Sequence, residues 1–210
     1  MVKKTKEEAL ETRNMLLDTA EQVFNEKGVS GTTLADIACA AGMTRGAIYW
    51  HFKNKADLFD AMCDRVRLPL EAMTAANADA NVSDPLGELR KTLDYLFLKV
   101  STDTRHHRVF DILFNKCEFV EQLGPIMDRD ERVRKLFRER FEQVFANAIR
   151  LGQLPADTNV SLAVNAYLAF TKGILRNWLL EPHSFDLYRD GMRMVDGYFD
   201  MLLLSSTLRD

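Results

Sequence analysis

The apolar and polar positions of this chain follow the period of an α-helix almost throughout. Between Glu7 and Lys27 the apolar side chains recur every three or four residues, and Gly28 is typical of the position after a helix. There is no sustained two-residue alternation and no Asn-Gly hairpin turn. The sequence therefore predicts an all-α protein of about nine helices. The predicted core face of the first helix comprises Leu10, Leu16, Leu17, Ala20, Val23 and Phe24.

Two short helices joined by a tight turn are predicted between Thr32 and Phe52. Thr33 and Thr44 each precede a helix-forming stretch, where a hydroxyl can accept a hydrogen bond from the first turn. Gly42 lies between these helices, where glycine alone adopts a left-handed backbone without steric cost. This pattern is typical of a helix-turn-helix, whose second helix lies in the major groove of DNA.

Six further helices are predicted after the turn. Asn54 can cap the first of them, with Asp57 in its first turn, and Pro69 is expected to kink or end it. The second of the six is predicted to start at Asp84-Pro85. The other four are predicted to cover about Thr104 to Gln122, Ile126 to Leu151, Val160 to Leu180 and about Asp186 to Leu204. We assign residues 1–55 to a DNA-binding domain and residues 56–210 to a second, larger helical domain.

The distribution of charge favours local docking on DNA over general binding of polyanions. The chain carries a net charge of −3, yet no acidic residue occurs between Asp36 and Asp57. Arg45, Lys53 and Lys55 all fall within that window. A locally positive surface on an acidic protein suits sequence-selective contacts better than nonspecific coating.

The segment TRGAIYWHF and the Lys-Asn-Lys that follows it resemble the TetR family of bacterial repressors. Lys116–Phe119, Gly152–Pro155 and Ser184–Leu187 are similar to the AcrR/TtgR-like subgroup, which regulates multidrug efflux pumps. The resemblance implies a homodimer that binds a semi-palindromic double-stranded DNA operator. It also implies that residues 56–210 form a ligand-binding and dimerisation domain, and that a small hydrophobic or aromatic inducer bound there releases the DNA. A DNA-binding adaptor or an activator without small-molecule induction is the alternative.

The resemblance assigns the DNA contacts to the second helix and its flanks. The candidate residues are Thr33, Thr44, Arg45, Gly46, Tyr49, Trp50, His51 and Lys55. Arg45 is expected to pair with the edge of a guanine, because its guanidinium can donate two parallel hydrogen bonds. Thr44 and Gly46 are expected close to the groove, since a side chain at Gly46 could block the approach.

The other candidates are expected at the DNA backbone. Thr33, Tyr49 and His51 are predicted to touch phosphates or sugars, and Lys55 is predicted to add positive charge near a helix N-terminus. Trp50 could pack on the backbone or on a thymine methyl group. Packing within the domain is the alternative for both Tyr49 and Trp50.

Aromatic and flexible apolar residues of the larger domain are candidates for an inducer chamber between helices. They are Val66, Leu93, Leu96, Phe110, Phe114, Phe137, Phe141, Leu168 and Thr171. The four phenylalanines form two pairs, each one helical turn apart and thus on one face. Ordinary core packing is the alternative for all nine. If Arg67 and Lys172 also faced the chamber, anionic or phenolic ligands would be favoured over cationic ones.

The last two helices carry apolar residues on more than one face, which predicts a four-helix dimer interface. The residues concerned are Val164, Tyr167, Ile174, Leu175, Trp178, Leu179, Met194, Val195, Tyr198, Phe199, Leu202 and Leu203.

Other classes of protein find little support in the sequence. An enzyme is not expected, since there is no Gly-x-Ser-x-Gly elbow and no glycine-rich phosphate loop. No metal or cofactor is expected, because the adjacent His106 and His107 would point in different directions on a helix. The chain has three cysteines, no apolar run long enough to span a bilayer and no apolar leader segment. We therefore expect a cytoplasmic protein without disulfides.

Overall fold

A computed structural model describes residues 6–117 and 124–210, and every regular element in these ranges is helical. The α-helices are α1 Lys6–Lys27, α2 Leu34–Ala40, α3 Arg45–His51, α4 Lys55–Asn77, α5 Pro85–Thr102, α6 Thr104–Asp111, α7 Gly124–Arg150, α8 Val160–Leu180 and α9 Arg189–Leu204. A π-helical segment, Ile112–Lys116, follows α6. The prediction of an all-α fold with about nine helices is confirmed.

The described residues form two compact units. Unit 1 lies within Met1–Arg67 and Arg108–Asp130, and unit 2 lies within Leu68–His107 and Glu131–Asp210. Helices α4, α6 and α7 each contribute residues to both units. The functional division between residues 1–55 and 56–210 stays a prediction.

Unit 1 has its own apolar core, which holds the helix-turn-helix against α1 and α4. Its buried side chains include Leu16, Phe24, Ile37, Ile48, Phe52 and Leu58. The rings of Phe24 and Phe59 meet edge to face at 5.9 Å. Gly28 ends α1 with a φ of 76°, as predicted. Leu10, in contrast, is 59% exposed, because the buried face of α1 begins only at Thr12.

Three element boundaries differ from the prediction. Helix α4 continues through Pro69, since the proline removes a single hydrogen bond while the flanking turns persist. Helix α6 ends at Asp111 and passes into the π-helical segment; the rest of the predicted helix, from Glu118 to Gln122, lies outside the described residues. Helix α9 begins three residues after Asp186, whose carboxylate accepts from the N–H of Arg189 at 2.8 Å.

Unit 2 is built on α5, α8, α9 and most of α7. Its largest buried side chains include Phe97, Phe145 and Tyr167. The hydroxyl of Tyr198 on α9 donates to the carbonyl of Ala163 on α8 at 2.6 Å, which ties the last two helices together. Most of the large apolar side chains of these two helices are buried inside the unit.

Candidate functional site

Helix α2 begins with a capping box. The hydroxyl of Thr33 accepts from the N–H of Asp36 at 3.2 Å, and the Asp36 carboxylate accepts from the N–H of Thr33 at 2.8 Å. The same carboxylate accepts from the Thr33 hydroxyl at 2.6 Å. These bonds, first the one to the side chain of Thr33, lower the pKa of Asp36. The sequence pattern Thr-x-x-Asp carries this signal.

The phosphate contact predicted for Thr33 stays a prediction, and it would compete with this capping box. Both hydrogen-bond donors of Thr33, its N–H and its hydroxyl, point at the Asp36 carboxylate. A phosphate can only accept hydrogen bonds, so a contact would require the capping box to break. Thr33 therefore fixes the start of α2.

The turn between α2 and α3 has the expected left-handed glycine. Gly42 has a φ of 67°, and its N–H donates to the carbonyl of Cys39 at 3.0 Å. The next N–H, that of Met43, reaches back to the carbonyl of Ala38 at 2.8 Å, which completes a Schellman motif. This turn sets the direction in which α3 leaves α2.

Helix α3 buries one side and presents the other. Ile48 is fully buried beneath the helix, while Arg45 and Gly46 are exposed at its first turn. The hydroxyl of Thr44 accepts from the N–H of Ala47 at 3.3 Å, so its hydrogen can still be donated to DNA. A Cβ at Gly46 would meet nothing within 4 Å, so glycine leaves a gap in the exposed face.

Two large aromatic residues project from the same exposed face. Trp50 is 74% exposed and Tyr49 is 47% exposed, which disagrees with packing inside the domain. The guanidinium carbon of Arg45 lies 5.7 Å from the centre of the Tyr49 ring. The ring of His51 meets that of Trp50 edge to face at 4.8 Å. Exposed aromatic rings beside an arginine form a surface that suits stacking on sugars and bases.

The side chain of Lys55, at the first turn of α4, reaches the loop between α1 and α2. Its ammonium group donates to the carbonyls of Val29 at 2.8 Å, Ser30 at 3.2 Å and Thr32 at 2.9 Å. An ammonium group has three donors, and the loop between α1 and α2 supplies an acceptor for each. All three donors are thus engaged within the fold, and the phosphate contact predicted for Lys55 stays a prediction.

The candidate inducer residues fall into two groups, one in each unit. In unit 1, Val66 is buried in the core, and the rings of Phe110 and Phe114 stack at 6.4 Å with 23° between their planes. In unit 2, the ring of Phe141 lies 6.0 Å from that of Phe137 and 5.1 Å from that of Tyr167.

The other candidates of unit 2 are buried or half-buried. They are Leu93, Leu96, Leu168 and Thr171. The hydroxyl of Thr171 donates to the Tyr167 carbonyl of its own helix at 2.8 Å. Arg67 pairs with Asp64, and Lys172 is exposed, so neither residue supports a preference for anionic ligands.

The predicted dimer surface is smaller than its apolar composition suggested. Most of the residues assigned to it, such as Val164, Trp178 and Tyr198, are buried within unit 2. The exposed apolar residues of α9 are Met194, Gly197, Met201, Leu203 and Leu204. All of them except Leu203 are spaced by three or four residues along one helical face. On α8 the exposed apolar side chains are Leu162, Phe170 and Leu180.

Within residues 6–117 and 124–210, no helix has the length and apolar character needed to cross a membrane. Across the same ranges, His, Cys, Asp and Glu side chains do not gather in groups of three or more that could hold a metal ion.

The fold and the exposed face of α3 define a helical protein with a DNA-binding helix-turn-helix. Residues 16–62 match the family of bacterial regulatory proteins called tetR, and residues 84–204 match the C-terminal region of MAATS-type transcriptional repressors. The chain belongs to the TetR family of transcriptional regulators.

The similarity to known relatives covers all or nearly all of the chain. It is 42% identical over 209 residues to the HTH-type transcriptional regulator TtgR of Pseudomonas putida, covering 100% of both chains. The crystal structure of NalD from Pseudomonas aeruginosa superposes with a TM-score of 0.84 at 37% identity, covering 95% of this chain and 100% of NalD. SmeT of Stenotrophomonas maltophilia, solved in complex with triclosan, gives 0.83 at 31% identity and covers 92% of both chains.

Proposed function

We propose that this protein represses transcription by binding a semi-palindromic operator as a homodimer, and that it controls a multidrug efflux pump. The observation that carries the proposal is the exposed face of α3, where Arg45, Tyr49 and Trp50 surround a gap at Gly46. The link to efflux rests on relatives, since NalD is the secondary repressor of the MexAB-OprM multidrug efflux pump. A DNA-bound regulator acts in the cytoplasm and needs no catalytic centre.

To test sequence-specific DNA binding, a preferred duplex is first selected from random sequence with the wild-type protein. The affinity and sequence preference of Arg45→Ala are then measured on that duplex. The variant should lose about 1–3 kcal/mol of specific binding and relax one operator position in each half-site. Lys53→Ala, at an exposed lysine beyond α3, is the control and should weaken all duplexes alike. An unchanged operator preference in Arg45→Ala would refute the base contact.

Dimerisation is proposed through the exposed faces of α8 and α9. Met201 is 40% exposed and Leu204 is 84% exposed, and both belong to one apolar stripe on α9. Met201→Lys should raise the dimer dissociation constant at least about 100-fold, because each copy would bury an unpaired charge. Leu136→Lys, at a similarly exposed leucine on α7, should leave it unchanged. Sedimentation equilibrium measures both, and equal effects would contradict this interface.

Inducer binding is proposed at the two aromatic groups, Phe110 with Phe114 in unit 1 and Phe137 with Phe141 in unit 2. Triclosan is a suitable probe, since SmeT was solved in complex with it. An aromatic inducer would gain mostly from ring contacts and apolar burial. Phe110→Ala and Phe141→Ala should each weaken its binding, and calorimetric titration of the free protein measures this.

We propose that the inducer acts on DNA binding by tilting α4, which starts directly after the helix-turn-helix. An inducer can shift this equilibrium only by its different affinities for the two states, typically about 1–3 kcal/mol. Operator release by triclosan should therefore raise the operator dissociation constant by about 5- to 150-fold. Operator binding that no aromatic compound alters would favour the alternative, a DNA-binding adaptor or an activator without induction.

A further inference from the structure

The loop between α1 and α2, residues 28–32, is held from two sides within unit 1. From one side, Lys55 at the first turn of α4 donates to the carbonyls of Val29, Ser30 and Thr32. From the other side, the carbonyl of Lys116 accepts from the N–H of Val29 at 3.1 Å. Val29 is itself fully buried, so both of its peptide groups are fixed where water does not compete.

The π-helical segment that supplies the Lys116 carbonyl is itself attached to α1. One oxygen of the Asp111 carboxylate accepts from the amide of Asn25 at 2.9 Å, and the other accepts from the amide of Asn115 at 2.8 Å. The loop is also closed internally, since the hydroxyl of Thr32 donates to the carbonyl of Gly28 at 2.7 Å. Lys55 thus completes a continuous set of polar contacts around the loop.

The position of the loop determines where the helix-turn-helix begins. Thr32, whose carbonyl Lys55 holds, directly precedes Thr33, the cap of α2. The start of α4 is fixed independently, because Asn54 accepts from the N–H of Asp57 at 2.8 Å. Lys55 therefore joins two anchored points, the start of α2 and the start of α4.

The environment of Lys55 differs from that of an exposed lysine whose ammonium group is available to a phosphate. Burial lowers the pKa of its ammonium group, an effect that Cys117 opposes. Lys53, two residues earlier, is exposed, and its backbone N–H donates to the Asp57 carboxylate at 2.9 Å. The two lysines thus have the same charge and nearly the same sequence position but opposite surroundings.

We propose that Lys55 is a positioning residue for operator binding, which holds residues 28–32 and the start of α2 in place and contacts no phosphate. The proposal rests on the proposed function, because operator binding is the activity that it serves. Lys53 is the natural comparison, since an exposed lysine at this edge can reach a phosphate without giving up a partner seen in the fold.

The first experiment needs no DNA. Amide hydrogen exchange of the free protein is compared between wild type, Lys55→Met and Lys53→Met. Removal of the three hydrogen bonds to carbonyls should speed exchange in a peptide covering residues 29–36 in Lys55→Met. Lys53→Met should exchange like the wild type there. Unchanged exchange in Lys55→Met would overturn the proposal.

The second experiment measures operator affinity as a function of salt. Lys55→Met should weaken binding by about tenfold or more, since hydrogen bonds from a charged group are removed, yet leave the slope of log K against log salt unchanged. Lys53→Met should reduce that slope by about 0.9 for each phosphate that Lys53 neutralises in the wild type. Lys55→Arg keeps the charge but should not restore affinity, because a planar guanidinium does not match three converging carbonyls.

The outcomes separate the two proposals. A reduced slope in Lys55→Met, or full affinity in Lys55→Arg, would show that Lys55 acts as a phosphate contact. If Lys55→Met does not fold by circular dichroism, Lys55→Gln takes its place in both experiments. A wild-type protein that binds no selected duplex would refute the proposed function, while the exchange experiment would still decide what Lys55 holds.

Discussion

Two arginine–carboxylate pairs allow the effect of burial on stability to be separated from that of geometry. In unit 1, Arg65 on α4 donates to Glu21 on α1 at 2.9 Å, and their side chains are 18% and 3% exposed. The same guanidinium also pairs at 2.6 Å with Asp18, whose side chain is 50% exposed. In unit 2, Arg90 donates to both oxygens of Asp196 at 2.7 and 3.0 Å, but these side chains are 47% and 46% exposed. The exposed pair has the better geometry and the buried pair the drier surroundings.

We expect burial to decide the magnitude. Arg65→Met would leave the Glu21 carboxylate buried without its guanidinium, which costs about 3–5 kcal/mol in the free energy of unfolding. Arg90→Met should cost no more than about 1 kcal/mol, since water replaces the arginine at an exposed carboxylate. The double replacement Glu21→Leu with Arg65→Met should recover most of the stability, because apolar side chains of similar volume avoid the desolvation of both charges.

Urea denaturation followed by circular dichroism measures both double-mutant cycles. All variants must be compared at one protein concentration, because the stability of an associating protein depends on it. The coupling energy of Arg65 with Glu21 should exceed that of Arg90 with Asp196 by about 2 kcal/mol. Coupling energies that agree within about 0.5 kcal/mol would refute the reasoning, since burial would then add nothing to the pair.

Three single positions carry further predictions. Gly42→Ala should lower the free energy of unfolding by about 1–2 kcal/mol in urea, because alanine is strained at a φ of 67° while its Cβ meets no atom within 4 Å; an unchanged midpoint would contradict this. Gly191→Ala should cost about 1–3 kcal/mol in thermal denaturation, since its Cβ would lie 3.1 Å from two ring carbons of Phe97. Gly197→Ala, in open space on the same helix, is its control and should not destabilise the monomer. The hydrogen bond from Arg90 holds the pKa of Asp196 below the ordinary 3.8. The stabilisation by the ionised Asp196 is therefore present above pH 3.8 and is lost as the pH falls through the lowered pKa. The stability difference between wild type and Asp196→Asn should shrink accordingly in acid titrations.

The helix-turn-helix could be predicted from sequence because its determinants are local. Thr33, Gly42 and Thr44 act on backbone groups within a few residues, so the cap and turn preferences of each residue type suffice. Ile48 and Phe52 of the same segment are buried.

The role of Lys55 could not be predicted, because its three acceptors lie 23 to 26 residues earlier in the chain. A lysine beside a DNA-reading helix has the same sequence signature whether it points at a phosphate or at a carbonyl. The apolar faces of α8 and α9 present a similar problem. Tyr167 and Met201 are both apolar in character, but only the packing of unit 2 decides that the first is buried and the second exposed.

If Lys55 holds the loop between α1 and α2 and contacts no phosphate, the helix-turn-helix has fewer basic side chains with which to bind DNA. Of the three basic residues between Asp36 and Asp57, only Arg45 and Lys53 keep their charge at an exposed position. Each neutralised phosphate contributes about −0.9 to the slope of log K against log salt, so these two residues would account for about −1.8 per subunit if each neutralised one phosphate. Under the proposed function, sequence preference would then depend on the proposed base contact of Arg45 and on the exposed rings of Tyr49 and Trp50. Such a surface would contribute more to sequence specificity than to nonspecific affinity for DNA, as expected of a sequence-selective regulator with a net negative charge.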